Sequence, residues 1–358
     1  MNCHIVPRSY LKAWKIPTTN NSIYVFDKNE TRAINNNKNI DNLSDTNFAI
    51  EDKYLIDIFN KNYMHKFYAH FSEIVDELNV TVTYNDIKIT SFTEYVDHLD
   101  CFEDWIYTTK DGTIIENTVV CDLFTKKISE IIEKYFANNI ENRWPVIKEY
   151  VTTIMKNRGT VSAEHKEILI EFTVVQLLRR FENMQAMGLS NVIAIMNKVF
   201  GENIFDRFYE ESLWLMQLYG YATQKSSNSL IRSIQHILDN YQPCFLISTG
   251  SLDFITSDNP CYIIENTSYP FESGIYLPIN SKVCLFLCNL TSYADKTKYY
   301  IFEINDNNVK YINSKTKNHA IKDLAYHSDD ISDLICDSID KDNWNIIPTT
   351  LFNELFDK

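Results

Sequence analysis

Hydrophobic and polar residues follow one period near both ends of the sequence and another period between them. Alternating or continuously apolar runs of strand length occur near the start and again from residue 244 onward. Between these parts, apolar residues recur every three or four positions. The first arrangement is typical of strands and the second of amphipathic helices. The pattern therefore predicts two β-rich pieces separated by a long helical region.

The first β-rich piece is predicted to contain a short helix and a strand pair. Pro7 can open a helix, because its fixed φ suits the first turn, and Pro17 ends it. Residues Ile23–Asp27 alternate like a strand, and we expect TRAI at Thr31–Ile34 to return as its partner. Two strands alone are not stable. Because the other strong β signal begins only at residue 244, we infer that both chain ends share one sheet.

The middle region is predicted to be mainly helical. Helices are expected near residues 50–78, 93–105, 119–136, 144–156, 162–187, 190–200, 204–217 and 229–241. Val80–Tyr84 fits either a short strand or part of an excursion. In the helix that begins near residue 162, Gln176 and Arg179 lie on an otherwise apolar stripe with Leu169 and Phe172. An inward guanidinium requires a carboxylate or an anionic ligand as its partner.

The clearest predicted supersecondary unit begins at residue 244. Phe245–Thr249 and Leu252–Thr256 are two β-rich runs, and Gly250-Ser251 between them suits a type II′ hairpin turn. The second run would carry Asp258 and Asn259 to its end. Further strands are expected in CYIIE, IYLPI, KVCLFLCNL, KYYIFEI and, after a turn at Asn305–Asn308, VKYI, with helices near 314–327 and 331–339.

These elements predict an α+β protein, with a mixed or antiparallel sheet built from both chain ends and a large helical insertion. Residues 1–48 would form an N-terminal polar motif and β-hairpin, and residues 49–243 a mainly helical region. Residues 244–358 would form a β-rich region with C-terminal helices. The first and last pieces would pack together as one compound domain.

Composition restricts the classes of function. The 358 residues carry a formal net charge of −14, which argues against a large nonspecific nucleic-acid surface but permits a small basic cleft. Eight cysteines without a CxxC pair, lying mostly in apolar runs, are typical of reduced, buried thiols and of a cytoplasmic protein. No apolar run approaches the length of a membrane span, so we expect no membrane partner. Walker, GxGxxG, GxSxG and zinc-ligand motifs are absent.

Several short motifs occur together in one order along the chain: HIVPRSYLKAW, IYVFDK, QLLRR, FITSDNP, LPINSKVCLFL and a late HAIKDLAYHS. In this order they resemble a bacterial family catalogued as domain of unknown function 4238. The family's opening His-x-Val-Pro-x-x-Tyr-Leu motif corresponds to His4–Leu11, and its Thr-Ser-Asp-Asn-Pro box to Thr256–Pro260. Relatives tend to show Arg-Thr-Pro where this chain has Arg179-Arg180-Phe181. The resemblance implies no established reaction, but members near phage-defence genes suggest an effector or sensor role.

The candidate site gathers polar residues from both chain ends and from the helical insertion. Our leading hypothesis is a phosphodiester hydrolase, nuclease-like, with His4 as general base and Asp258 holding a divalent metal such as Mg²⁺. Arg179 would stabilise developing negative charge. A second carboxylate for the metal would come from Asp27. The predicted substrate-binding residues are Arg8, Tyr10, Gln176 and Asn259.

Each of these residues also has a structural interpretation. His4 would tie the N-terminal strand to a buried carbonyl, and Asp258 with Asn259 would form an Asx turn before the following proline. Asp27 would do the same at its strand end. Gln176 and Arg179 would join an internal Arg–Asp pair, with Asp258 as one choice of partner.

Two functions follow from these alternatives. The first is an intracellular bacterial effector of antiviral defence that hydrolyses a phosphodiester and meets nucleic acid or a nucleotide in a local cleft. The second is a non-enzymatic binding, sensor or scaffold module of a defence or toxin system, which meets a protein partner through its acidic surface. The substrate, the metal and the oligomeric state do not follow from the sequence.

Overall fold

A computed structural model describes the residues 2–4, 6–19, 21–29, 36–43, 48–51, 72–98, 104–156, 159–162, 165–184, 207–223, 229–264, 274–288 and 297–327. The chain divides into two compact units. The first comprises Met1–Cys3, Glu51–Phe136 and Gly188–Lys225, and the second comprises His4–Ile50, Ala137–Met187 and Ser226–Lys358. Helices and mixed sheets occur together, so the predicted α+β class is confirmed.

The strands are short, and most of the longer ones lie in the last third of the chain. In chain order they are β1 (Asn2–His4), β2 (Ser22–Asp27), β3 (Asn36–Asn39), β4 (Ala49–Glu51), β5 (Val80–Tyr84), β6 (Ile87–Ile89), β7 (Ile106–Thr109), β8 (Ile114–Ile115), β9 (Gly159–Ser162), β10 (Gln242–Ser248), β11 (Thr256–Ser257), β12 (Tyr262–Ile264), β13 (Gly274–Asn280), β14 (Val283–Cys288), β15 (Lys298–Ile304) and β16 (Asp323–Tyr326).

The longer helices lie between the β-rich parts, with one more near the end. In chain order the helices are α1 (Arg8–Leu11), α2 (Ile40–Leu43), α3 (72–78), α4 (Phe92–Asp97), α5 (Asn117–Tyr135), α6 (Trp144–Ile154), α7 (Lys166–Leu178), α8 (Phe181–Met184), α9 (Arg207–Ala222), α10 (Ser229–Asn240) and α11 (Asp306–His319). Of the helix predicted near residues 50–78, α3 confirms the last part, Ile50 and Glu51 belong to β4 instead, and residues 52–71 lie outside the described part of the chain. The helix predicted at residues 190–200 also lies outside it.

The second unit is built on a six-stranded mixed sheet with the order β12-β13-β14-β10-β15-β9. Strand β10 lies inside it, antiparallel to β14 and parallel to β15. Every residue of β10 and β14 is buried, as the apolar runs Cys244–Ile247 and Val283–Cys288 predict. Four strands predicted after residue 260 are thereby confirmed as β12 to β15. Strand β9 was not predicted, since its residues fall in the region expected to be helical.

A four-stranded sheet with the order β11-β16-β2-β3 joins the two ends of the chain. Strand β16 pairs antiparallel with both β2 and β11. The prediction that both chain ends share one sheet is therefore confirmed. TRAI, the predicted partner of β2, lies outside the described residues; the partner that the structure describes is β3, which follows it.

The predicted hairpin between residues 245 and 256 is wrong. Strand β10 pairs with β14 and β15, while Leu252–Ile255 is not in a strand and Thr256 belongs to the other sheet. Gly250 is needed for close approach, because a Cβ there would overlap the carboxylate of Asp306. That carboxylate accepts the Leu252 N–H at 2.9 Å, so the chain crosses between the two sheets instead of folding back.

The C-terminal assignments are also corrected. Asn305 does not begin a turn before a strand; its side chain accepts the Asn308 N–H at 3.1 Å and caps α11. Val309 and Ile312, read as part of a strand, are buried along one face of that helix. Residues 323–326, predicted as helix, form β16 because they pair with two strands. The helix predicted at 331–339 lies outside the described residues.

The first unit contains a four-stranded antiparallel sheet with the order β6-β5-β7-β8. Val80–Tyr84 is therefore a strand rather than an excursion. Of the helix predicted near residues 93–105, the structure describes α4, which ends at Asp97, and Ile106 starts a strand. Alternation buries Val82, Ile89 and Tyr107 on one face of this sheet.

Two sequence expectations concern the chain as a whole. In the part that the structure describes, no helix is long and apolar enough to cross a membrane. Five cysteines have described side chains; all are free, four are buried, and Cys121 is half-buried. Burial raises the pKa of the Cys288 thiol to about 12. Such thiols are protonated and unreactive at neutral pH, as expected of core cysteines.

Candidate functional site

The end of β11 places Asp258 beside the loop that follows α11. Thr256 and Ser257 pair with Ala325 and Leu324 of β16. The ladder continues one step further, because the Asp258 N–H donates to the Asp323 carbonyl at 2.9 Å. The Asp258 side chain is thus fixed at the strand end, and it is buried.

Both oxygens of the Asp258 carboxylate are occupied by backbone donors. The Ile321 N–H donates to Oδ1 at 2.9 Å, and the Lys322 N–H donates to Oδ2 at 3.0 Å. These bonds satisfy the backbone between α11 and β16, where no helix or strand partner is available to those two N–H groups. Asp258 therefore joins two segments of the fold rather than forming the Asx turn that the sequence offered.

A guanidinium lies on the other side of Asp258, and it belongs to Arg180. Its Nε donates to the Asp258 carbonyl at 3.1 Å, its Nη2 donates to the same oxygen, and Nη2 lies 3.9 Å from Oδ2. Both side chains are buried and out of reach of solvent, so each charge is compensated by the other instead of by water. The internal Arg–Asp pair expected at Asp258 exists, with the neighbouring arginine as partner.

Arg179 faces a different carboxylate. Its Nη1 donates to Glu141 Oε1 at 2.7 Å, and its side chain is 0% exposed. Helix α7 ends at Leu178, so consecutive arginines leave the helix in different directions. Both arginines follow the last residue of α7, and the hydrophobic period gave no information on Arg180.

Asn259 forms a reciprocal amide pair with Asn183 of α8. Asn259 Nδ2 donates to Asn183 Oδ1 at 3.1 Å, and Asn183 Nδ2 donates back at 2.9 Å. Asn259 also donates to the His319 carbonyl at 3.0 Å, and Asn183 donates to the Leu177 carbonyl at 2.8 Å. The two amides fasten β11 to the ends of α7 and α11. We call Arg180, Asn183, Asp258 and Asn259 the Asp258 network.

Tyr10 contacts the residue that opens the family's polar box. Its hydroxyl donates to the Pro278 carbonyl and lies 2.7 Å from Thr256 Oγ1. Because a phenol has one proton, Thr256 is the donor in the second bond. Burial raises the pKa of the Tyr10 phenol, which therefore stays protonated. Tyr10 links α1 to both sheets of the second unit.

Asp27 and Asp258, the two predicted metal ligands, flank a third aspartate. Asp323 pairs with Asp27 across β2 and β16, and its carbonyl accepts the Asp258 N–H on the other side. Asp27 Oδ1 also accepts the Asn29 N–H at 2.9 Å, which is the turn chemistry expected at a strand end. Among the residues that the structure describes, no group of three His, Cys, Asp or Glu side chains is arranged to hold a metal ion.

Gln176, one of the predicted substrate-binding residues, lies in the interior of the protein. It is 2% exposed, and neither its Nε2 nor its Oε1 has a hydrogen-bond partner among the described residues. One helical turn before it, Phe172 contacts Trp144 with ring centroids 4.9 Å apart. The amide thus lies on a face that is otherwise packed by aromatic rings, at a cost in desolvation.

The N-terminal motif contributes two further predicted residues. His4 ends β1, and its side chain lies outside what the structure describes. Arg8 begins α1 and is half-buried. The structure therefore brings Tyr10, Asp27, Asp258 and Asn259 to the strands that join the chain ends, and it pairs Arg179 elsewhere, with Glu141.

Comparison with known proteins identifies the family. No curated protein and no solved structure matches the chain. One family model, described as "Protein of unknown function (DUF4238)", matches residues 2–330. That match covers the N-terminal motif, α7 with its two arginines, and the Asp258 network. Since it spans nearly the whole chain, as the resemblance of its short motifs implied, this protein belongs to the DUF4238 family of proteins of unknown function.

Proposed function

We propose that the protein is a non-enzymatic binding, sensor or scaffold module. The observation that carries this proposal is the engagement of Asp258, whose two carboxylate oxygens accept the N–H groups of Ile321 and Lys322 beside the Arg180 guanidinium. Each oxygen keeps a free lone pair, but a cation bound there would lie beside the buried Arg180 guanidinium, and the two like charges would repel. Arg179 is likewise paired with Glu141.

We further propose that the protein acts in the cytoplasm of a bacterial cell, as part of a defence or toxin system. The free, buried cysteines suit a reducing compartment. Members of the family that this chain resembles lie near phage-defence genes, and this supports the defence setting. In this account the Asp258 network maintains the fold, and partners are met on the protein's surface.

The second candidate function is the phosphodiester hydrolase, and one observation favours it. Asp27 and Asp258 lie on either side of Asp323 across three neighbouring strands. Metal-assisted phosphodiester hydrolysis uses carboxylates grouped around one or two divalent cations. Here Asp258 would hold Mg²⁺ beside the Arg180 guanidinium, Arg179 would stabilise the transition state and His4 would act as base.

Hydrolysis assays distinguish the two candidates. Bis(p-nitrophenyl) phosphate, single-stranded DNA and RNA are incubated with Mg²⁺ or Mn²⁺ and with wild-type protein, Asp258→Asn or Asp27→Asn. Asp122→Asn, which changes an exposed carboxylate, is the control. The binding proposal predicts no hydrolysis that depends on Asp258 or Asp27. A folded Asp258→Asn protein that loses an activity present in wild type and in the control would overturn it.

A further inference from the structure

The sheet of the first unit has two faces of different character. In the ladder β6-β5-β7-β8, Val82 pairs with Ile89 and with Tyr107, and Tyr107 pairs with Ile115. Residues that pair across antiparallel strands project from the same face. Val82, Ile89 and Tyr107 are buried, so this row belongs to the covered face.

Helices α4 and α5 cover that buried face. Tyr95 of α4 packs against Trp105 with ring centroids 5.4 Å apart, and His98, just beyond α4, lies 5.2 Å from the Tyr84 ring. Burial raises the pKa of the Tyr107 phenol, and the neighbouring Cys121 of α5 and Tyr95 raise it further. Both helices therefore lie on the Tyr107 side of the sheet.

The opposite face carries two rows of side chains, of which five are β-branched and one is a lysine. One row runs Lys88, Thr83, Ile106, and the other runs Thr81, Thr108, Ile114, as the strand register requires. Ile106 is 46% exposed and Ile114 is 66% exposed. They lie on neighbouring strands, diagonally across one step of the ladder, which is close enough for their side chains to form one patch. We call these six residues the open face.

Acidic residues surround the open face. The stretch 80–123 contains nine Asp and Glu residues but only two Lys and no Arg, a surplus of seven negative charges out of the chain's net −14. At one end of the sheet lie Asp86, Asp104 and Glu116, and at the other lies Asp111, all exposed. Bonds from Thr109 and Thr113 hold the pKa of the Asp111 carboxyl below its usual value, so it stays ionised. We call these four residues the acidic rim.

We propose that the open face docks a cationic segment of a partner protein, whose aliphatic side chains cover Ile106 and Ile114 while its Lys or Arg side chains face the acidic rim. This inference rests on the proposed binding function and gives that function a surface and a partner class. An apolar centre with a charged border is the usual anatomy of a protein interface. A second copy of the chain would bring an identical acidic rim, and the like charges would repel.

Binding of a defined peptide tests the proposal. The probe is a fluorescent peptide of alternating Lys and Val, about ten residues long, which is the upper end of strand length. A peptide with Glu in place of Lys and unstructured poly-lysine serve as comparisons. The test variant is Ile106→Thr with Ile114→Thr, which keeps β-branching on exposed strand positions. Ile321→Thr, at an isoleucine 40% exposed in the second unit, is the matched control.

The expected result has three parts. Wild type and Ile321→Thr bind the Lys–Val peptide and not the Glu–Val peptide. The double variant weakens binding by at least about tenfold, or about 1.4 kcal/mol, with an unchanged melting temperature. Removing rim charge with Asp104→Asn and Glu116→Gln also weakens binding and reduces its dependence on salt.

Three results would overturn the inference. These are no binding of the Lys–Val peptide, equal binding by wild type and the double variant, or binding of poly-lysine that is as tight as that of the peptide. Concentration-dependent dimerisation that the double variant abolishes would assign the open face to a second copy instead. None of these results affects the hydrolysis assays, so failure of this surface and failure of the proposed function are separate outcomes.

Discussion

Arg180 and Asp258 bind one another through more than their charges. The guanidinium donates to the backbone carbonyl of Asp258 while one of its nitrogens lies 3.9 Å from the carboxylate of the same residue. The carboxylate is in turn held by the backbone of Ile321 and Lys322. A helix end, a strand end and a loop are thus fastened at one residue, and that residue lies in the family's polar box.

Removing Arg180 should therefore destabilise the protein strongly. Arg180→Met leaves a buried carboxylate and a buried carbonyl without their cationic partner, which should lower the free energy of unfolding by about 3–5 kcal/mol. Urea denaturation measures this change. Arg143→Met is the control, because Arg143 also pairs with a carboxylate, that of Glu171, but its side chain is 41% exposed, and exposed pairs contribute about 0–1 kcal/mol. Similar small losses in both variants would contradict a structural role for the Arg180 pair.

A second prediction concerns the crossing between the two sheets. Gly250→Ala should push the Asp306 carboxylate away from the N–H groups of Ser251 and Leu252, at a cost of about 1–3 kcal/mol in unfolding free energy. In the double variant with Asp306→Ala the added methyl group has space. Its stability should equal that of Asp306→Ala alone. If the stability losses of Gly250→Ala and Asp306→Ala add in the double variant, Gly250 is required for a reason other than this close approach.

Gln176 gives a prediction of opposite sign. Its buried amide has no hydrogen-bond partner, so Gln176→Leu exchanges an uncompensated polar group for an apolar one of similar length. We expect the unfolding free energy to rise by about 1 kcal/mol, since buried unpaired polar groups cost about 1–3 kcal/mol. Thermal and urea unfolding measure it. A loss of stability would mean that an ordered water or a bound ligand satisfies the amide in solution.

His319 should make stability depend on pH. Its ring stacks on Tyr262 with centroids 4.8 Å apart, and burial, with Lys315 and Lys28 nearby, lowers its pKa below the ordinary 6.5. The unfolded chain then binds the proton more tightly than the folded one, so this contribution to stability is complete above pH 6.5. It is lost as the pH falls toward the lower folded-state pKa.

The variant His319→Phe keeps the stacked ring and removes the titration. Unfolding free energies of wild type and variant are compared in urea from neutral pH down to about pH 5, the range in which histidine titrates. As the pH falls, the unfolding free energy of the variant should rise relative to that of wild type. A difference that does not vary with pH would rule out His319 as the source.

The sequence predicted elements well where one local signal decides them. Strands β12 and β14 and the centre of β10 are continuously apolar, and α5 and α6 have regular helical periods. The pairing partners of the strands were harder to predict, because pairing depends on segments far apart in the chain. Residues 252–256 have a β-rich composition, but they do not pair with the segment at residues 245–249. In α11, the Asn305 cap decided the structure against a locally β-like sequence.

In the candidate site, too, sequence patterns identified individual residues but not their partners. Sequence patterns placed Arg179 on an inward-facing stripe and Asp258 with Asn259 at a strand end, and all three are buried. Their partners could not be predicted, because helix α7 ends at Leu178 and directs Arg180, rather than Arg179, to Asp258. Asn183 was missed for the same reason, since its position depends on α8, the turn of helix that follows this break.

The unfolding free energy of Asp258→Asn tests the central claim most directly. Asparagine keeps the shape, but its NH2 group cannot accept the bond that Ile321 or Lys322 donates, and it removes the negative charge that faces the Arg180 guanidinium. If Asp258 is a structural residue, the variant should lose about 3 kcal/mol or more, the cost of breaking a buried pair on one side. Unfolding of Asp258→Asn at the same urea concentration as wild type, or at a higher one, would contradict the account and return Asp258 to the hydrolase hypothesis.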